Sequence, residues 1–228
     1  MLFGAFVQRP RTLAFHAGNT GSNPVRPTPH RSLFGVRTLR ANRSLVTVVA
    51  CCWLGCADSG GDRCRAVPEG DRFELVAHTL WQLTGAEEPW RALRPVGLDC
   101  PADAAKVEDF GGRLTWGVDT ARCGHATSVQ PLLQDACAGE KLFVWFWRDA
   151  LTGPEGAAST VAVQIGDELI YEVETPIPAP PALIAVTAEI AEDHRTGEPI
   201  YFHVHNHGAN SYQLLELSRC VGDCTVPP

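Results

Sequence analysis

Between Arg72 and Ser218 the apolar positions recur every second residue, or run continuously for four to eight residues, rather than at helical spacing. The clearest segment is Lys141-Leu-Phe-Val-Trp-Phe-Trp147. As a strand it points Val144 and Phe146 to one face and Phe143, Trp145 and Trp147 to the other. Both faces are apolar, which predicts a central strand that is buried on both sides or carries a functional aromatic face. Ala158–Ile165 and Glu168–Glu174 read as a hairpin through Gly166-Asp167. Pro176, Pro178, Pro180 and Pro181 then form a stiff connector suited to crossing between sheets. Ala182–Ala191 follows as a strand. Thr196-Gly197 turns the chain into Glu198–His205, Asn206–Asn210 turns it again, and Ser211–Ser218 closes the pattern.

Upstream, Arg72–Trp81 alternates loosely, and Arg113–Val118 and His125–Leu133 read as strands, with Pro131 placing one end near a sheet edge. The stretch 87–109 has weak periodicity and reads as loop, with one helical turn at Ala102–Val107. Eight or nine short strands, turn signals at intervals of about 8–12 residues and no long amphipathic helix predict an all-β fold: an antiparallel β-sandwich, with the jelly roll as the favoured arrangement. The expected boundaries are a leader and signal region over 1–56, a flexible tether over 57–71, the sandwich over 72–220 and a tail over 221–228.

Charge divides the 228-residue chain at the same place. The first 57 residues hold seven Arg and no Asp or Glu. The remainder carries the other 12 of the 19 basic residues and all 26 acidic ones, a formal charge of −14. Such a segment excludes nucleic acid as a partner, since phosphates are bound by releasing counterions to Lys and Arg. It also opposes adsorption to an anionic lipid surface.

Residues 45–55 form the one long uncharged apolar run ahead of this domain, behind Arg40 and Arg43. At about 11 residues it fits the apolar region of a signal peptide and is far short of the ~20 needed to span a bilayer. It ends in Leu54-Gly55-Cys56, which resembles a bacterial lipobox, with Trp53 in place of the usual Leu; Val48-Val49-Ala50-Cys51 competes with it. The expectation is an exported protein, lipidated at Cys56 and held at the bacterial outer membrane or in the periplasm, with ordinary secretion as the alternative. Residues 1–40 are long and proline-containing for such a signal. Ala17-Gly18-Asn19-Thr20-Gly21-Ser22-Asn23-Pro24-Val25 resembles a translated 3′ part of a tRNA gene, which moves the true start toward Leu33–Leu39; a disordered basic leader is the other reading. Beyond Cys56, the six cysteines Cys64, Cys100, Cys123, Cys137, Cys220 and Cys224 read as up to three disulfides in an oxidising compartment. Cys220 and Cys224 suit a tight C-terminal loop, Cys123 and Cys137 flank a strand, and the remaining pairing is open. Their spacing lacks the CxxC pairs of structural zinc sites.

Three segments carry a resemblance to a known class. Ala138-Gly139-Glu140-Lys141-Leu142 enters the aromatic strand, Val163–Tyr171 forms the hairpin, and Thr196–Tyr212 ends in a histidine-rich turn. Together the pattern from Gly124 to Ser218 resembles small jelly-roll modules of the carbohydrate-binding and galactose-binding-like kind, and the whole chain looks like the uncharacterised lipoproteins of myxobacteria. The resemblance covers about 40% of the chain and implies a fold more strongly than a ligand.

Two constellations offer chemistry. His203-Val-His-Asn-His207 places imidazoles at alternate positions, where a strand would set them on one side. Neutral imidazole ligates Zn, Cu or Fe, so His203, His205 and His207 are candidate metal ligands. Gly197-x5-His203-x-His205 resembles the start of a cupin metal motif, but Ala209 and Asn210 stand where its Glu would follow. The bland alternative makes 206–210 a hairpin turn and His203 and His205 ordinary β-face residues. The second constellation is aromatic. Trp145, Trp147, Trp81, Trp116, Tyr171 and Tyr201 could stack on sugar rings, although large aromatics more often fill sandwich cores. Trp147, beside Arg148 and Asp149, is the best candidate for stacking, with Trp145 next to it. No G-x-S-x-G elbow and no H-E-x-x-H motif is present. Glu87-Glu88 and Glu108-Asp109 read as solvated loop carboxylates. The sequence therefore predicts a non-enzymatic, envelope-facing β-sandwich without a cofactor that binds a glycan or a protein. A metal-binding sandwich using the histidine triplet and a structural envelope protein without a small ligand are the alternatives.

Overall fold

A computed structural model describes residues 68, 70–85, 87–222 and 224. The leader, the lipidation candidate Cys56, Cys64 and the tether residues 57–67 and 69 lie outside them.

Eleven strands form two antiparallel sheets. In chain order they are β1 (Arg72–Glu74), β2 (Gln82–Leu83), β3 (Ala105–Phe110), β4 (Arg113–Asp119), β5 (His125–Pro131), β6 (Lys141–Arg148), β7 (Ala158–Ile165), β8 (Glu168–Pro176), β9 (Ala182–Glu189), β10 (Pro199–His205) and β11 (Ser211–Cys220). The first sheet runs β3-β4-β11-β6-β9, with β1 added against the end of β11; the second runs β2-β5-β10-β7-β8. The cores β4-β11-β6-β9 and β5-β10-β7-β8 are the two four-stranded sheets of a jelly roll. The proline-rich segment after β8 carries the chain from the second sheet to the first, as its stiffness suggests.

The inner faces bury the core. Leu142, Val144 and Phe146 of β6 and Leu214 and Leu217 of β11 meet Val161, Val163, Ile200, Phe202 and Val204 of the opposite sheet in one cluster. Trp116 ties the layers together with a hydrogen bond as well: its indole N–H donates to Ser128 Oγ of β5 at 2.8 Å. A register shift between Leu214 and Glu216 marks a bulge in β11. It lets Tyr212, Leu214 and Leu217 all face inward while Gln213 and Glu216 face outward, which simple alternation would not allow.

Two elements depart from the sequence reading. Arg72–Trp81 is a three-residue strand followed by a 3-10 turn at His78–Leu80, rather than a continuous strand. The helical turn expected over Ala102–Val107 covers Ala102–Ala104 only, and β3 begins at Ala105. Pairing with β4 supplies the backbone partners that the weak local periodicity did not announce.

Cys100–Cys123 and Cys220–Cys224 are disulfides, with Cα–Cα distances of 5.1 and 6.1 Å. Cys137 is also disulfide-bonded.

Replacing fully buried Phe202 by Ala should cost about 3–5 kcal/mol, the range for emptying an aromatic core site. Denaturant unfolding of F202A against the parent protein reads this directly, and a change below 1 kcal/mol would show that the two layers do not depend on this contact.

Candidate functional site

Alternation fixes what each sheet shows to the outside. On β10, Ile200, Phe202 and Val204 are fully buried against the core, so Tyr201, His203 and His205 project from the outer face. On β5, Ala126 and Ser128 face inward, so His125 and Thr127 project outward. The register pairs His125 with His205 and Thr127 with His203. Three imidazoles and a hydroxyl thus meet on one patch of the second sheet.

A flap between β2 and β3 covers this patch. Trp90 stacks on His203, with ring centroids 4.5 Å apart and planes 10° from parallel. Glu88 of the same flap enters beneath it, its side chain fully buried. Arg94 donates to Glu88 Oε1 at 2.7 Å and to the carbonyls of Leu98 and Gly85, so one guanidinium ties both ends of the flap. The Cys100–Cys123 disulfide fastens the flap to the turn just ahead of His125. Glu88 is therefore not the solvated loop carboxylate that the sequence suggested. Arg94 and a histidine-lined sheet make its burial tolerable.

Under the flap, Glu88, His125 and His203 each offer a ligand atom, and these atoms lie within 4.8 Å of one another. The triplet His203, His205 and His207 does not gather in the same way. The rings of His203 and His205 are 6.5 Å apart, and His207 sits in the turn beyond β10, next to His205 alone (4.7 Å). Only His203 of the three belongs to the convergent group. His125 comes from another strand 78 residues earlier, a partnership that local spacing does not reveal. Burial alone would push the Glu88 carboxyl up, but the neighbouring His125, Thr127 and Arg94 outweigh it and hold it at about 2. Burial, reinforced by His125, pulls His203 down to about 3. The patch holds an ionised Glu88 carboxylate beside a neutral His203 imidazole, the protonation states in which these two groups can ligate a divalent metal.

The outer face of the first sheet is different. β6 places Phe143, Trp145 and Trp147 there. Phe143 is buried beneath the Arg72 guanidinium (4.6 Å), while Trp145 and Trp147 are half-buried. Cross-strand register builds one continuous row, Gly117–Gln213–Trp147–Leu183. Gln213 accepts from Thr115 Oγ1 (2.8 Å) and donates to Glu108 Oε2 (2.5 Å) across the space above Gly117. A Cβ on Gly117 would lie 2.5 Å from that carboxylate oxygen, so the glycine makes room for the polar pair. In the next row Arg113 lies over Trp145 at 5.0 Å and bridges to Glu216 at 3.2 Å. The tip of the β3–β4 hairpin reaches over β11, since Phe110 lies 6.0 Å from Trp147. The Trp147 indole N–H donates to Asp149 at 3.1 Å. Of the other aromatics, Trp81 and Trp116 are core, Tyr171 packs inward, and Tyr201 lies on the opposite sheet.

No protein-family model and no curated protein sequence matches the chain. Among solved structures it is similar to a carbohydrate-binding module specific for non-crystalline cellulose, with a TM-score of 0.43 and 9% identity over 69% of this chain and 100% of that one. It is also similar to the N-terminal cellulose-binding domain of Cellulomonas fimi β-1,4-glucanase C (TM-score 0.39, 13% identity, 72% and 100%). A third similarity is to an arabinose-bound α-L-arabinofuranosidase (0.38, 9%), where 64% of this chain spans 26% of that enzyme.

The titration of His203 sets a stability signature. With a chelator present, the unfolded chain takes up a proton as the pH falls below 6.5, whereas the folded chain does so only near 3. Stability is thus complete above 6.5 and falls as the pH drops. Between pH 6.5 and 5, above the carboxylate range, the slope due to His203 should approach about 1.4 kcal/mol per pH unit. Denaturant unfolding across that window should show this slope reduced in H203Q; identical slopes in the two proteins would contradict the assignment.

Proposed function

We propose that the protein is a non-enzymatic glycan-binding jelly roll, exported and anchored through a lipid on Cys56, whose binding surface is the outer face of the β3-β4-β11-β6-β9 sheet. The observation that carries this reading is the row Gly117–Gln213–Trp147–Leu183 with Trp145 and Arg113 alongside. An indole face is matched to the apolar C–H face of a pyranose ring. Planar amide, carboxylate and guanidinium groups are matched to paired hydroxyls, which both donate and accept. Gln213, Glu108 and Arg113 supply these three groups within one sheet face. They are held by partners on neighbouring strands, so little side-chain entropy is lost on binding. The mature region's formal charge of −14 favours an uncharged ligand over a polyanionic one.

Export is supported by the acid-free leader, the short apolar run before Cys56 and the use of cysteines in disulfides, which persist in oxidising compartments.

Trp147→Ala should weaken retention by a bound polysaccharide at least tenfold while leaving the fold intact, since the indole is half-buried on an outer face. Affinity electrophoresis against a panel of neutral plant and microbial glycans tests this. Migration unaffected by every glycan, or equal retention of W147A and the parent, would overturn the reading. For the anchor, mass spectrometry of the membrane-extracted protein should find diacylglyceryl-modified Cys56 at the mature N-terminus; an unmodified cleaved terminus would refute it.

A further inference from the structure

We infer that Glu88, His125 and His203 form a binding site for one divalent transition-metal ion, zinc being the best match, which clamps the 84–100 flap onto the second sheet. The site is independent of the glycan surface, which lies on the other sheet. Its ligands come from three separated places: the flap, the start of β5 and the middle of β10.

The first argument is the unmet demand of His125. Its side chain is 1% exposed, and neither ring nitrogen has a hydrogen bond among the described residues. A buried imidazole with both nitrogens unpartnered costs of order 1–3 kcal/mol per unmet group, so a native site normally supplies a partner. Glu88 Oε1 lies 3.4 Å from His125 Nε2, without hydrogen-bond alignment. Two ligand atoms bound tetrahedrally at 2.0–2.2 Å stand roughly 3.3–3.6 Å apart. The observed separation suits a shared ion better than a direct contact.

The second argument is the set of groups behind the ligands. Metal-bound histidines usually donate the other ring N–H to an oxygen, and ligating carboxylates are themselves hydrogen-bonded. His203 Nδ1 is 2.8 Å from Thr127 Oγ1, which leaves Nε2 as the nitrogen for coordination. Arg94 holds Glu88 through one lone pair of Oε1, and Thr84 Oγ1 lies 3.5 Å from Oε2. A carboxylate has about four acceptor positions, so these contacts leave room for an ion. Two imidazoles and one carboxylate are the donor set of open zinc sites, with a fourth position for water. The His205 ring lies 5.3 Å from that of His125.

The purified full chain, stripped with a chelator and dialysed, should bind one equivalent of Co²⁺, used as a spectroscopic substitute for zinc, with visible d–d absorption. One equivalent of Zn²⁺ should abolish that band and raise the melting temperature. His125→Gln and Glu88→Gln should each weaken Co²⁺ binding at least tenfold, whereas His207→Ala should keep the parent affinity and stoichiometry. If one substitution prevents folding, the other still reads the site, and the parent protein alone can refute it. Absence of stoichiometric Co²⁺ or Zn²⁺ binding to the parent would overturn the inference in favour of a buried water among these groups. Binding lost in H207A but kept in E88Q would overturn it in favour of a surface pair made by His205 and His207.

Discussion

Everything in this molecule follows from the packing of two inner sheet faces against each other. Once Val144, Phe146 and Leu214 meet Val163, Phe202 and Val204, each strand has one face committed to the core. The alternate residues can only point outward. A slip of one residue in β10 would turn His203 into the core and Phe202 out of it; a slip in β6 would turn Trp145 and Trp147 inward and Val144 and Phe146 outward. The chemistry of both outer faces is thus a consequence of register, and register is held by the cost of exposing the core.

The two outer faces solve different problems. The first sheet leaves aromatic rings half-covered and surrounds them with groups that satisfy one another: Thr115 to Gln213, Gln213 to Glu108, Arg113 to Glu216. Such a network is held by partners within the protein itself. The second sheet is covered. Trp90 and Arg94 close over an ionised carboxylate and two buried histidines, and the Cys100–Cys123 bridge fixes the flap's far end. A covered polar cluster contributes little to stability unless each member is satisfied, and His125 is the member whose demand the protein groups leave unmet.

Much of the fold was legible because strands with alternating apolar residues declare themselves locally. β4, β5, β6, β7, β8, β9, β10 and β11 stand close to where periodicity put them, and the proline run marks the crossing between sheets. β3 was missed because an edge strand with exposed Lys106 and Asp109 and half-buried Glu108 has no apolar alternation to show; only its pairing with β4 makes it a strand. The aromatic row was half legible. Trp145 and Trp147 were evident from β6 alone, but Gln213 and Gly117 join them only through cross-strand register. The convergent histidine group was not legible for the same reason. His203, His205 and His207 are neighbours in sequence, whereas the group that converges takes His125 from the paired strand and Glu88 from a loop with no periodic signal.

The central claim is that the ligand lies on Trp145 and Trp147. Nuclear magnetic resonance of the indole N–H groups tests it most directly, because the five described tryptophans, Trp81, Trp90, Trp116, Trp145 and Trp147, report from distinct places. Titration with an oligosaccharide derived from a retained glycan should shift the Trp145 and Trp147 indole signals and leave those of core Trp81 and Trp116 in place. Shifts confined to Trp90, or no shift at Trp145 and Trp147 at saturating ligand, would contradict the account.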